Sequence, residues 1–435
     1  MTTNAELHQR RQQAVPRGVT NSLAVYAESA ANAEIWDVEG RRYIDFASGI
    51  SVLNTGHVHP KVREAIARQL EKFTHTCFQV TPYESYVALA EALNALAPGP
   101  GPKKTIFLTT GAEAVENAIK IARFHTRRSA LIAFSGGFHG RTLACISLTG
   151  KVQPYKAGFG ALLPEIYHLP FPMPYHGVTV EHALSALEQL FRADVDPARV
   201  AAIIIEPVLG EGGFYAAPPE LLRRLRRICD SHGIVLIADE IQSGFGRTGR
   251  MFAIEHAGVE PDLITIAKSV AGGVPLSAVI GKAEIMDAPG PGGLGGTFAG
   301  SPLGCAAGLA VLEVIRGEGL LKRAQEIGHF MSSRLKGLQV RFPCVGEVRA
   351  LGAMVAVELV KNGRADAPDA ELAKALVQAA GRRGLVILSC GIHSNVIRFL
   401  APLTIPDNHL KEGCHLFELA LEEVASAAPK AHAAG

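Results

Sequence analysis

Short apolar runs alternate along this chain with stretches in which apolar residues recur every three or four positions. Apolar and polar residues alternate loosely over 34–46 around Glu39-Gly40, the pattern of a β-hairpin. Pro60 then opens a helix with Val62, Ile66, Leu70 and Phe73 on one face. A second helix is predicted over 83–96, closed by the breaker run Ala97-Pro-Gly-Pro-Gly-Pro102. Further on, strands are predicted at 105–109, 130–134, 200–205, 234–239 and 262–268. Helices at 113–125, 181–192 and 219–231, a helical segment over 251–256 and a proline-rich loop over 163–177 separate them. Strand-then-helix repetition specifies a largely parallel sheet with helices on both faces.

After Gly300 the rhythm changes. Two helices (302–316, 319–337) lead to a split strand over 348–358, a helix at 370–382, strands at 385–389 and 395–400, and a last helix ending near 425. This reads as a second, smaller α+β unit. Residues 1–59 are expected to join it as an N-terminal segment, leaving 60–317 as the large domain and 318–435 as the C-terminal small domain. Residues 427–435 form a low-complexity tail, and there is no solenoid-type repeat.

Composition narrows the classes. With 48% hydrophobic and 19% charged residues the chain is a folded protein, and its 43 basic and 41 acidic residues leave no surplus that would point to nucleic acid. The densest basic run, Leu221-Leu-Arg-Arg-Leu-Arg-Arg227, is one solvated helix face. Seven scattered cysteines, none in C-x-x-C, suit reduced thiols in the cytoplasm. No run approaches the about 18 apolar residues of a membrane span, and the polar first eighteen residues carry no secretory signal.

The chemistry gathers at predicted strand ends. Asp239 closes one apolar run and Lys268 the next, 29 residues apart. In α/β sheets ligands sit beyond the carboxyl ends of strands, so the two can face one ligand. Pyridoxal phosphate needs such a pair: a lysine holds it as a Schiff base and a carboxylate keeps its pyridine nitrogen protonated. An ordinary βαβ unit with solvated ends would show the same two residues. Gly111 and Ala112 sit where a strand turns into a helix, where free amides favour an anion. In Gly136-Gly-Phe-His-Gly-Arg-Thr142, Phe138 could stack on a planar ring and Arg141 grip a carboxylate. His139 reads as a packing or hydrogen-bonding residue, since no second ligand stands at zinc spacing, and no metal is expected. Glu206 at a strand end and Glu211 in a glycine turn are either an acid and base pair or loop acids. Thr297 is either a phosphate donor or a helix-entry residue. Arg398, the odd residue of an apolar strand, needs an anionic partner.

In this order the motifs resemble the class III, or ω-amino acid, branch of the aminotransferases. The most diagnostic part is Ala238-Asp-Glu-Ile-Gln-Ser-Gly-Phe-Gly-Arg-Thr-Gly249 followed by Ala267-Lys-Ser, and the likeness runs from about residue 20 to about 425. It implies the type I, aspartate-aminotransferase-like fold of pyridoxal-phosphate enzymes: a large, mostly parallel sheet domain, a smaller α+β domain, and a homodimer or tetramer with sites at the subunit boundary. It further implies that Lys268 is the Schiff-base lysine and the base that moves the proton, that Asp239 pairs with the pyridine nitrogen, and that Gln242 hydrogen-bonds the phenolic oxygen. Gly111 and Ala112 would supply phosphate amides, and Thr297 would reach the phosphate in the neighbouring subunit. Phe138, His139 and Glu206 would complete the cofactor site.

For substrates, the resemblance assigns Arg141 to the carboxylate of an ω-amino acid. Arg398 would take the α-carboxylate of 2-oxoglutarate with Glu211 as its removable partner, and Ile50 and Gln79 would line the pocket. The implied reaction moves a terminal amino group from 4-aminobutyrate to 2-oxoglutarate, giving succinate semialdehyde and glutamate; 5-aminovalerate is the nearest alternative. Ornithine-type donors are disfavoured by Ile50, and a mutase or decarboxylase on the same fold is the other class. Many relatives carry Tyr where Phe138 stands, so some cofactor affinity is expected to be lost.

Overall fold

The computed structural model describes residues 2–427, so the tail from 428 onward lies outside the described residues. Seven strands build the main sheet: β1 (Lys103–Leu108), β2 (Ala130–Phe134), β3 (Ile166–Leu169), β4 (Val200–Ile205), β5 (Val235–Asp239), β6 (Leu263–Ile266) and β7 (Ser277–Lys282). They lie in the order β1-β7-β6-β5-β4-β2-β3. Every pair from β3 across to β6 is parallel, whereas β7 runs antiparallel to both β6 and β1.

Burial explains the sequence pattern. All residues of β2, β4 and β5 are buried, which is why these segments are continuous apolar runs and not alternations. Successive side chains still go to opposite faces. Ile203 and Leu236 pack with Leu221, Leu222 and Leu225 of the helix Pro219–His232, while Ile204 and Ile237 pack with Val115, Ala118 and Ile119 of the helix Gly111–Thr126.

Two four-stranded sheets stand beside the large one. In the first, Ala27–Ala31, Glu34–Asp37 and Arg42–Asp45 are joined by Leu385–Val386, which pairs parallel with Arg42–Asp45. The second orders Val345–Leu351, Met354–Leu359, Val396–Phe399 and Leu388–Cys390, and it carries Arg398. The N-terminal strands therefore complete a sheet with the C-terminal part of the chain. No helix of the described residues is long and apolar enough to cross a membrane.

Several elements depart from the sequence pattern. The segment 163–177 is not all loop, since β3 lies inside it. β7 was not legible, because Ser-Ala-Val-Ile-Gly-Lys follows a Gly-Pro stretch and gains its order from two partner strands. The helix from Pro60 stops at Leu70, so Phe73 falls beyond it. The helical segment at 251–256 is a single 3₁₀ turn, Ala253–Ala257, confined between Gly249 and the left-handed Gly258. The strand predicted at 385–389 divides between two sheets. A helix, Asn4–Ala14, buries none of its residues and so leaves no apolar period; a Thr3–Glu6 capping box starts it.

Candidate active site

The carboxyl ends of β2, β4, β5 and β6 open into one cavity of about 560 Å³, lined by Phe138, His139, Arg141, Glu206, Asp239 and Lys268. Gly111 and Ala112 line it as the first residues of the helix Gly111–Thr126, whose Thr110 cap also borders the space. Asp239 is the last residue of β5, and Lys268 stands two residues past β6 with a left-handed backbone, φ +49°. A non-glycine residue held there stores about 1–3 kcal/mol, as functional residues often do. Burial brings the Lys268 ammonium down to about 8, against the opposing pull of Glu211.

Asp239 is fixed from three sides. Its Oδ2 accepts from His139 Nδ1 at 2.7 Å, and its Oδ1 accepts from the Thr265 hydroxyl at 3.0 Å and the Ile241 amide at 3.2 Å. Burial alone would lower the His139 pKa, but the hydrogen bond and charge of Asp239 outweigh it and raise it. His139 is thus a hydrogen-bonding residue that orients Asp239. Glu206 accepts from the amides of Phe138 at 2.6 Å and Gly210 at 2.9 Å, and burial pushes its carboxyl well above the usual carboxylate range. These two bonds tie the 206–213 loop to Phe138. A Cβ on Gly210 would lie 2.4 Å from Gln242 Oε1, so glycine is what lets the 206–213 loop come this close. The Gln242 Oε1 is buried and has no partner among the described residues.

Arg398 Nη1 donates to Glu211 Oε1 at 2.5 Å, which joins the small sheet to the loop after β4. Burial would raise the Glu211 carboxyl; the charges of Arg398, Lys268 and Lys151 win and lower it. Tyr155, which no sequence motif singled out, donates toward Glu211 Oε2 at 3.4 Å and stands 4.8 Å from the Phe138 ring. Arg141 is exposed, with its guanidinium 5.0 Å from the centre of the Tyr155 ring. Val52 and Ile241 also line the cavity; each is an apolar residue inside an irregular segment, with no signal to find it by.

Four expected residues do not line the cavity within this chain, and one of them is Arg398, which meets it only through Glu211. Gln79 and Thr297 are exposed and share one surface region, where Gln79 Nε2 donates to the Leu294 carbonyl at 3.2 Å. Thr297 precedes the helix Pro302–Gly317 by several residues and does not cap it. Ile50 is 41% exposed. It lies in a turn where Ser48, Gly49, Ile50 and Ser51 all have positive φ, a left-handed turn that costs about 1–2 kcal/mol per non-glycine residue. Asp45 Oδ1 ties the start of that turn, accepting from the amides of Ala47 and Ser48, while Ser51 Oγ donates to the Gln242 carbonyl and Ser269 Oγ to the Ser51 carbonyl.

A lysine and a carboxylate at neighbouring strand ends, facing a helix N-terminus across one cavity, define a pyridoxal-phosphate enzyme of fold type I. A family model described as aminotransferase class-III matches residues 14–421. The 4-aminobutyrate aminotransferase of Escherichia coli K12 is 52% identical over 97% of this chain and 99% of that protein. The 5-aminovalerate aminotransferase of Pseudomonas aeruginosa is 53% identical over the same shares. Among solved structures, an amine transaminase from an uncultivated Pseudomonas species in its PLP-bound form superposes with a TM-score of 0.85 at 30% identity, covering 95% of this chain and 96% of that one. The chain belongs to the class III aminotransferase family.

Pyridoxal phosphate is the cofactor of this class, and the residues present fit it. The cavity falls in the ~300–1,000 Å³ range of small-molecule sites, and Gln242 and the half-buried Lys268 both line it. The start of the helix Gly111–Thr126 would offer amides to the phosphate, Asp239 would face the ring nitrogen, and Phe138 would offer a face to the ring.

Proposed function

We propose that the chain transfers the terminal amino group of 4-aminobutyrate to 2-oxoglutarate, giving succinate semialdehyde and glutamate. The observation that carries this reading is the unequal pair of arginines: Arg141 open on the cavity wall, and Arg398 buried and neutralised by Glu211. A donor with one carboxylate needs one arginine, and the second must then be silenced, because a buried charge without a partner is strongly disfavoured. When 2-oxoglutarate or glutamate enters, its α-carboxylate takes Arg398, its distal carboxylate stays on Arg141, and Glu211 gives way. When bound, pyridoxal phosphate supplies the aldehyde that carries the amino group and the ring that takes up electrons. Lys268, with its amine poised near 8, takes the proton from the amino-bearing carbon of the donor and delivers it to the carbon that carried the aldehyde. Asp239, oriented by His139 and Thr265, keeps a negative charge at the base of the cavity.

A second reading, 5-aminovalerate as donor, is kept because a relative at 53% identity bears that name, and one methylene is worth only about 1–3 kcal/mol in an apolar pocket. We include in the proposal a homodimer in which Gln79 and Thr297 complete the site of the second copy. Supporting it, these residues sit outside their own cavity beside Val80 and Phe298, which are 77% and 66% exposed. A cytoplasmic location is part of the same reading, since all seven cysteines are unpaired thiols. The test is kcat/KM for 4-aminobutyrate, 5-aminovalerate, ornithine and acetylornithine with 2-oxoglutarate. We expect 4-aminobutyrate to lead. A lead for 5-aminovalerate selects the second reading, and a lead for ornithine overturns both.

A further inference from the structure

The Glu211–Arg398 pair rests on a single contact, and Arg398 Nε is buried with no partner among the described residues, so Glu211 neutralises the arginine without satisfying all of its donors. The displaced Glu211 then needs donors of its own, because an ionised carboxylate left unpaired in a buried loop would be strongly disfavoured. Residues beside the cavity supply them. Tyr155 places its hydroxyl 3.4 Å from Oε2, the Glu211 oxygen that Arg398 does not engage. Its ring is held between Phe138 and Arg141, at 4.8 Å and 5.0 Å. Burial, and then the Glu211 charge, push the phenol up to about 12, so the hydroxyl keeps its proton and donates.

Lys151 stands on the same side. Its Nζ donates to the Gly391 carbonyl at 2.7 Å and to Ser394 Oγ at 3.3 Å, while the Gly391 amide donates to the Glu211 carbonyl at 2.9 Å. A half-buried ammonium whose hydrogen bonds go only to neutral oxygens thus lies one contact from the Glu211 backbone, and it helps to hold the Glu211 carboxyl low. Two neutral acceptors do not account for burying a charge at this point.

We propose that Tyr155 and Lys151 form a second berth, which receives the Glu211 carboxylate whenever a substrate α-carboxylate occupies Arg398. The inference rests on the switch reading given under the proposed function. Both are positioning residues: they touch neither cofactor nor reacting atoms, and act by stabilising the state in which Arg398 is free. The berth sets specificity for the α-amino acid partner. It stabilises chiefly the glutamate side of the reaction, because with an ω-amino donor Glu211 stays on Arg398 and keeps only the long 3.4 Å contact with Tyr155.

The experiment is a single-turnover comparison of the two half-reactions in the holoenzyme, with 4-aminobutyrate and with glutamate, followed through the cofactor spectrum. The cofactor spectrum also reports that each variant has folded and loaded. Tyr155→Phe and Lys151→Gln should each lower kcat/KM for glutamate about tenfold, mainly through KM, which is the size expected for a hydrogen bond to a charged group. The loss should be several-fold larger than that for 4-aminobutyrate. Lys151→Arg, which restores the charge, should recover glutamate; Lys151→Gln can still donate to Gly391 but carries no charge, so it should not. In a Glu211→Ser background, Tyr155→Phe should cost glutamate nothing further. Equal losses on both sides, recovery by Lys151→Gln, or additive effects in the double variant would each overturn the berth. Glu211→Ser alone separates the two layers of the argument. If it fails to slow 4-aminobutyrate more than glutamate, the switch and the berth fall together; if that asymmetry holds while the Tyr155 and Lys151 variants are symmetric, only the berth falls.

Discussion

Lys268 combines a strained backbone with a desolvated amine, and the two have one cause. The residue is turned inward just past β6, where every neighbour from Leu263 to Ala267 is buried. An amine must be neutral to attack an aldehyde, and burial brings the Lys268 midpoint to about 8 from the ordinary lysine value of 10.5. Below that midpoint the group is protonated and inert, and above it neutral. Cofactor uptake by apoenzyme, followed by absorbance, should therefore accelerate with rising pH and level off above about 8. A rate still climbing toward 10.5 would show that burial does not set this group. Asp239→Asn removes the charge that raises the His139 pKa and leaves burial to lower it. Turnover should fall about a hundredfold, equivalent to the ~3 kcal/mol lost when a buried pair is broken, while the cofactor is still retained. Near-normal turnover would mean that another acid holds the ring nitrogen. Lys268 and Asp239 were legible because a charge ending an apolar run stands out. Tyr155 and Lys151 were not. They lie in an irregular stretch between Gly150 and Gly160 with no period to orient them, and their meaning depends on distances to Glu211 and Gly391.

Between residue and domain, the loop after β4 is the element on which the site turns. Glu206 anchors its beginning through two amides, and Arg349 holds its end by donating to the Gly213 carbonyl at 2.8 Å and 3.1 Å. Glu211 lies between these anchors, so the proposed switch needs only its side chain to move. Gly210→Ala should test how closely the loop and Gln242 are matched, because the new methyl meets only the end of the Gln242 side chain. Thermal stability should change by no more than ~1 kcal/mol, the size of a contact that a flexible side chain can evade. Cofactor retention on gel filtration should drop clearly, and unchanged retention would remove Gln242 from the cofactor site. Elements with strong apolar runs were readable to the residue, as at Ala130–Phe134 and Val200–Ile205. β7 and the helix Asn4–Ala14 were not, the first because its order comes from neighbours and the second because it buries nothing.

For the whole molecule, the placement of Gln79 and Thr297 outside their own cavity makes a monomer incomplete under the proposed assembly. Lys268→Ala alone and Thr297→Ala alone should each be impaired, the first fully and the second through weak cofactor retention. Mixed heterodimers should regain one site in which the lysine and the threonine come from different copies. Absence of recovery, with heterodimers shown to form, would put Thr297 in the service of its own subunit. The small N-terminal sheet carries a different kind of consequence. Arg42–Asp45 pairs with Leu385–Val386, more than three hundred residues downstream. At roughly 5–20 residues per second of synthesis, the first strands to leave the ribosome wait some tens of seconds for the strand that completes their sheet. The large sheet, whose strands all fall between Lys103 and Lys282, can close meanwhile. The earliest-made part of this chain is thus the last to be locked, and through that interval its open strand edge is the point at which a nascent molecule is most exposed to mispairing with another.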